Sequence, residues 1–110
     1  MTATYKVLGQ ADLTAETETA VYTVPSSTNS VVSTIVVCNR AATANTFRLS
    51  VRPGGEALAN KHYIAYNVEI PANDSTNLTI GVTLNAGDVI SAYGGSSSEL
   101  SVNIFGSEII

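Results

Sequence analysis

The sequence predicts an all-β fold: an antiparallel β-sandwich of about eight strands, jelly-roll-like, in one domain spanning residues 1–110. Three observations carry that prediction. The longest β-branched run, Ser30 to Asn39, reads Ser-Val-Val-Ser-Thr-Ile-Val-Val-Cys-Asn between Ser, Asn and Pro punctuation, which suits a strand and not a helix. Short alternating runs separated by turn residues recur at roughly the 8–12-residue spacing of a sandwich or barrel. No segment carries a helical apolar stripe beyond two turns.

The elements follow in order. Thr4 to Gly9 alternates weakly and reads as a short strand. Gln10 to Thr19 is polar and reads as a loop. Thr19 to Val24 is a second strand, ended by Pro25 and turned by Ser26 to Asn29. Ser30 to Asn39 follows. With period two, Val31, Ser33, Ile35 and Val37 share one face and Val32, Thr34, Val36 and Cys38 the other. Both faces are mostly apolar, so the strand is expected to be buried on both, inside the domain or between subunits. After an Asn39–Ala44 loop, Asn45 to Arg52 alternates cleanly, with Phe47, Leu49 and Val51 opposite Thr46, Arg48, Ser50 and Arg52. Pro53-Gly54-Gly55 breaks it, and Glu56 to Asn60 is open between a loop and one loose helical turn.

Lys61 to Ile70 alternates again, placing His62, Ile64 and Tyr66 on one face and Tyr63 on the other. Pro71 to Asp74 is a turn. Ser75 to Leu84 is a strand in which Gly81 marks a bulge. Asn85-Ala86-Gly87 turns the chain into Asp88 to Tyr93, and Gly94 to Ser98 is a tip. Glu99 to Phe105 closes the sandwich with Leu100, Val102 and Ile104 inward, and Gly106 to Ile110 is a tail. Val24-Pro25-Ser26-Ser27 and Ile70-Pro71-Ala72-Asn73 echo each other, as two Greek keys would, although shared turn chemistry explains the echo equally well.

Composition narrows the function. Hydrophobic residues make up 45% and charged residues 13%, whereas a small soluble domain typically carries roughly 25–35% charge on its surface. A chain so poor in charge is expected to be covered by neighbours in an assembly. The net charge of -4, with five Lys and Arg, argues against a nucleic-acid binder. One cysteine provides neither an intrachain disulfide nor a zinc cluster. The opening Met-Thr-Ala-Thr-Tyr-Lys lacks the basic and apolar regions of a signal peptide, and no run approaches a membrane span. Production in a cytosol is expected.

No nucleophile–base pair is evident, so an enzyme is not expected, and neither cofactor nor metal is predicted. His62, the only histidine, lacks the partners a triad or metal site needs and is expected on an inward or interface face. Cys38 reads as a small buried hydrophobe. Asp88, at a turn before a strand, is open between a calcium-binding carboxylate and an acceptor of backbone N–H groups, the commoner use. The most informative polar cluster is Arg40, Arg48 and Arg52, three of the five basic residues within thirteen positions. It is either a solvated face or an interface where Arg forks meet a neighbour's Glu16, Glu18, Glu69 or Glu108. Tyr63 and Tyr66 join it as interface candidates, one of them in the core.

Tyr22-Thr23-Val24-Pro25, Ser33-Thr34-Ile35-Val36-Val37-Cys38-Asn39-Arg40, Phe47-Arg48 and Val51-Arg52-Pro53 resemble small virion-associated proteins of tailed bacteriophages, those of marine phages and cyanophages in particular. Lys61-His62-Tyr63-Ile64-Ala65-Tyr66, Ala72-Asn73-Asp74 and Phe105-Gly106-Ser107-Glu108-Ile109 continue the likeness across nearly the whole chain. The resemblance implies a β-sandwich, commonly trimeric or arrayed on a capsid, and carries over no functional residue. The expected function is therefore that of a non-enzymatic virion structural protein, a capsid decoration or cement protein. Its partners would be itself, as a homotrimer, and the major capsid protein or tail proteins, with no nucleic acid and no membrane. The alternatives are a tail, neck, baseplate or fibre module, and a carbohydrate-binding host-contact module. The absence of Trp and the 6% aromatic content count against the last.

Overall fold

Strand pairing runs inward from the two ends of the chain. The computed structural model describes residues 1–110 and contains nine strands: β1 (Ala3–Leu13), β2 (Glu18–Thr23), β3 (Asn29–Asn39), β4 (Asn45–Arg52), β5 (Tyr63–Ile70), β6 (Asp74–Leu78), β7 (Val82–Leu84), β8 (Val89–Gly94) and β9 (Leu100–Ile109). Ala3 pairs with Ile109, Thr23 with Val89, Asn39 with Asp74 and Asn45 with Ile70, all antiparallel. The chain is thus one long nested hairpin. Rolling it up adds two further ladders, β3 with β9 and β4 with β8. The result is a front sheet in the order β1-β9-β3-β6, with β7 also on β3, and a back sheet in the order β2-β8-β4-β5. A long hairpin rolled into two facing antiparallel sheets is a jelly roll.

The inner faces meet in a core whose fully buried side chains include Val32, Ile35 and Val37 of β3, Leu100, Val102 and Ile104 of β9, Phe47 and Leu49 of β4 and Ile90 of β8. Burying such side chains supplies most of the favourable folding free energy, at about 25 cal/mol per Å² of apolar surface. Buried polar side chains are all hydrogen-bonded. Asn39 closes one end: its Nδ2 donates to Thr43 O, Ile70 O and Pro71 O, and its Oδ1 accepts from Ala41 N. Val24 and Ile70, the two residues of the Pro echo, are both buried where the chain leaves the back sheet for the front one.

Several expectations are corrected by bulges. The first strand does not stop at Gly9; it runs to Leu13, because a register shift between Val7 and Gly9 lets Leu8 and Leu13 both turn inward against the opposing sheet. Within the chain the central strand is buried on one face only, so the reading that the domain itself covers both faces is corrected. A shift between Val32 and Thr34 places Val32, Ile35 and Val37 inward and leaves Val31 exposed and Val36 and Cys38 half-buried on the outer face. Cys38 is accordingly not a core residue. The segment Ser75 to Leu84 is two strands, interrupted at Thr79–Gly81, both on β3. The tail from Gly106 is the outer half of β9. The segment after Arg52 holds two short 3-10 turns, Pro53–Gly55 and Asn60–His62, so β5 begins at Tyr63.

Candidate functional site

The outer face of the back sheet is built on β4. Alternation sends Phe47 and Leu49 into the core and turns Arg48 and Arg52 outward, with Ser50 on the same side but fully covered. Arg48 lies directly across from Tyr93 of β8. Its guanidinium carbon sits 4.3 Å from the Tyr66 ring centroid and 4.7 Å from that of Tyr93. Its Nε donates to Asn67 Oδ1 at 2.8 Å. A cation held between two ring faces is attracted by both quadrupoles and loses its rotamer freedom. Tyr63 meets Tyr66 edge-on, with centroids 4.9 Å apart. Those two tyrosines therefore share a face, contrary to simple alternation. Register shifts between Phe47 and Ser50, and a left-handed Asn67 (φ 51°), absorb the odd residue.

Arg52 is spent within the chain. Its Nε donates to Ser91 Oγ at 3.1 Å and its Nη1 to Glu56 O at 3.0 Å, tying down the β4–β5 connection. Ser50 Oγ donates to Glu18 Oε1 at 3.3 Å. Burial pushes the Glu18 carboxyl above its ordinary value, against the opposing pull of Ser50, Arg52 and Arg48. Arg40 stands apart from the other two arginines, on the front-sheet side, where its Nη2 meets Asp12 Oδ1 at 2.5 Å. Of the residues singled out in the sequence, the fold thus brings Arg48, Arg52, Tyr63 and Tyr66 together and sends Arg40 elsewhere.

Beside Arg48, at the end of the sandwich where β1 passes to β2 and β8 to β9, lies an open polar cleft of about 390 Å³. Glu16, Asn45, Thr46, Asn67, Tyr93 and Ser96 line it with Arg48. Glu16, Asn67 and Tyr93 come from three separate segments, which explains why the sequence did not group them.

The second notable surface is the outer face of the front sheet. Tyr5 and Val7 of β1, Phe105 of β9 and Val31 of β3 are exposed there and border a shallow groove of about 550 Å³. The signal for Phe105 was present in the sequence: it lies off the Leu100–Val102–Ile104 face.

Several other polar groups have partners within the chain. Tyr22 OH donates to Glu108 Oε2 at 2.7 Å and therefore accepts from Ser30 Oγ at 2.6 Å. Burial raises the Tyr22 pKa to about 12. The Tyr22 hydroxyl, aided by Lys6 at 3.2 Å, holds the Glu108 carboxyl below its ordinary value. His62 is buried; its Nδ1 accepts from Ala59 N, so Nε2 carries the proton toward Glu56 Oε1 at 3.1 Å. Asp88 accepts from Gly54 N and Asn85 N, the commoner of the two roles open to it. No group of three His, Cys, Asp or Glu is placed to hold a metal ion, and no helix is long and apolar enough to cross a membrane. A scan against protein-family models and searches of curated proteins and of solved structures each found no match.

Proposed function

We propose that this chain is a non-enzymatic structural protein of a bacteriophage particle, a capsid decoration module that works by contacts between copies of itself and with the shell. The observation that carries the reading is the outer face of the front sheet. Across β1, β9 and β3 it presents Tyr5, Val7, Phe105, Val31, Val36 and Cys38 among Ser, Thr, Asn and Gln, its charges being the Asp12–Arg40 ion pair and Lys6 beside the groove. Strands of 11, 10 and 11 residues with β6 and β7 beside them make a face of roughly 36 by 19 Å, on the order of 700 Å². That approaches the ~800 Å² per partner of a standard protein interface. A weakly charged, part-apolar sheet face of this size suits a second copy, and three copies about an axis give the homotrimer the resemblance implies.

Sedimentation equilibrium tests the contact. A trimer that Phe105→Glu converts to a folded monomer supports the reading; a wild-type monomer at millimolar concentration overturns it. Immunogold labelling of particles tests the setting. Label over the head supports decoration, label at the neck or tail replaces it with a tail component, and unlabelled particles remove the virion reading.

A further inference from the structure

We propose that the cleft beside Arg48 is a binding site for a small carboxylate-bearing sugar. The inference is independent of the assembly face, which lies on the opposite sheet.

The anchor is the free end of the Arg48 fork. Nε is used by Asn67, while the two terminal nitrogens have no hydrogen-bond or ion-pair partner in the chain. The two ring contacts hold the guanidinium in place without consuming those donors. A planar fork fixed in this way matches a carboxylate bidentately and binds it at little further entropy cost.

The remaining lining selects what else the ligand carries. Thr46, Asn67 and Ser96 offer neutral hydrogen-bonding groups, and Glu16 a carboxylate. Glu16 repels a bare anion but accepts hydrogen bonds from hydroxyl groups. A ligand that turns an acid group toward Arg48 and hydroxyls toward Glu16 satisfies both. The volume of about 390 Å³ lies in the range of small-molecule sites and holds one sugar ring with its waters. A partner's acidic side chain would engage Arg48 and leave the hydroxyl-accepting side unfilled.

The cleft is also built rather than incidental. Of four non-glycine residues with left-handed backbone, Glu16 (φ 53°) and Asn67 (φ 51°) both line it. Such conformations are costly for a residue like Glu and concentrate at functional sites. Glu16 N is held by Gly94 O and Gly95 O. Gly95 allows the floor to close: a Cβ there would lie 2.3 Å from Asn45 Oδ1.

The test is titration of the full chain with galacturonate, galactose, acetate and a blocked aspartyl peptide, followed by calorimetry and amide chemical shifts. The expected result is galacturonate binding at least about tenfold tighter than each of the other three, with shifts confined to the cleft. Arg48→Gln should weaken galacturonate at least about tenfold. Glu16→Gln should weaken galacturonate while leaving acetate equal or tighter. Unchanged thermal melts confirm that both variants fold, and Arg48→Lys provides a second, charge-preserving variant with intermediate loss. Equal affinity for acetate overturns the sugar assignment, tighter binding of the peptide makes the cleft a protein contact, and no binding of any probe removes the site.

Discussion

Gly106 shows how little space separates neighbouring strands. A Cβ built there would lie 2.1 Å from Val31 O, a backbone atom that cannot turn aside, and 3.0 Å from Leu8 Cδ1. Gly106→Ala is therefore expected to cost about 2 kcal/mol or more. Gly81→Ala, with nothing within 4 Å, is the near-neutral control; urea midpoints of the two variants check the pair. Two carboxylates at the same scale oppose each other in sign. Glu108 has a lowered folded pKa, so it stabilises the native state fully above its unfolded value near 4.5, and that contribution is lost as pH falls through the folded value. Glu108→Gln should lose about 1 kcal/mol at pH 7 and progressively less as pH falls below the unfolded value. Glu18 has a raised folded pKa, so native stability falls as pH rises from the unfolded value through the folded one. Glu18→Gln should therefore raise the urea midpoint at pH 7 and leave it unchanged at pH 3. A fall at pH 7 would show that the charge of Glu18 is used by Arg48 and Arg52 more than burial opposes it.

Strands follow rules that the bulges then modify, and β3 is the clearest case. Its apolar residues, length and flanking turns were legible in the sequence, as were the clean alternation of β4 and the turns at Pro25 and Pro71. What was not legible was Ser33, the extra residue whose hydroxyl donates to Phe105 O at 3.1 Å. One inserted residue exchanges the faces of everything before it relative to everything after it. Pure alternation therefore paired Val31 with Ile35, whereas the fold pairs Val32 with Ile35 in the core. The same effect at β5 put Tyr63 and Tyr66 on one face, and proximity in sequence placed Arg40 with arginines that the fold assigns to the other sheet. Cys38 tests the β3 assignment directly. As a half-buried residue on the outer face, it should react with a thiol reagent in the native, dilute protein without denaturant, and more slowly as concentration drives assembly. Reaction only in urea would return Cys38 to the core.

At the scale of the molecule, the nested hairpin makes the longest ladders join the most distant residues. β1 pairs with β9 from Ala3–Ile109 to Leu13–Leu100, and β9 lies between β1 and β3 at the centre of the front sheet. Closing those loops must precede the contacts that reward it, so folding is expected in the slow, millisecond-to-second range of all-β domains. The ends of the chain already meet: Thr2 N donates to Ile110 O and Ile110 N to Thr2 O, both at 2.9 Å. A short linker across them, with new ends opened in the exposed Gly54–Ala59 stretch, inverts the nesting without changing the strand order within either sheet. The β1–β9 ladder becomes a local hairpin and β3–β9 moves closer in sequence, while β4–β5 becomes the most distant pair. The β1–β9, β3–β9 and β2–β8 ladders, with 25 residue pairs, come closer in sequence, whereas β4–β5, β4–β8, β3–β6 and β3–β7, with 19, move apart, so the permutant gains more local pairing than it loses. Its folding rate in a denaturant chevron should rise several-fold with the unfolding limb nearly unchanged. A slower permutant would place the folding nucleus in the β4–β5 hairpin, the one element whose sequence pattern needs no partner from the far end of the chain.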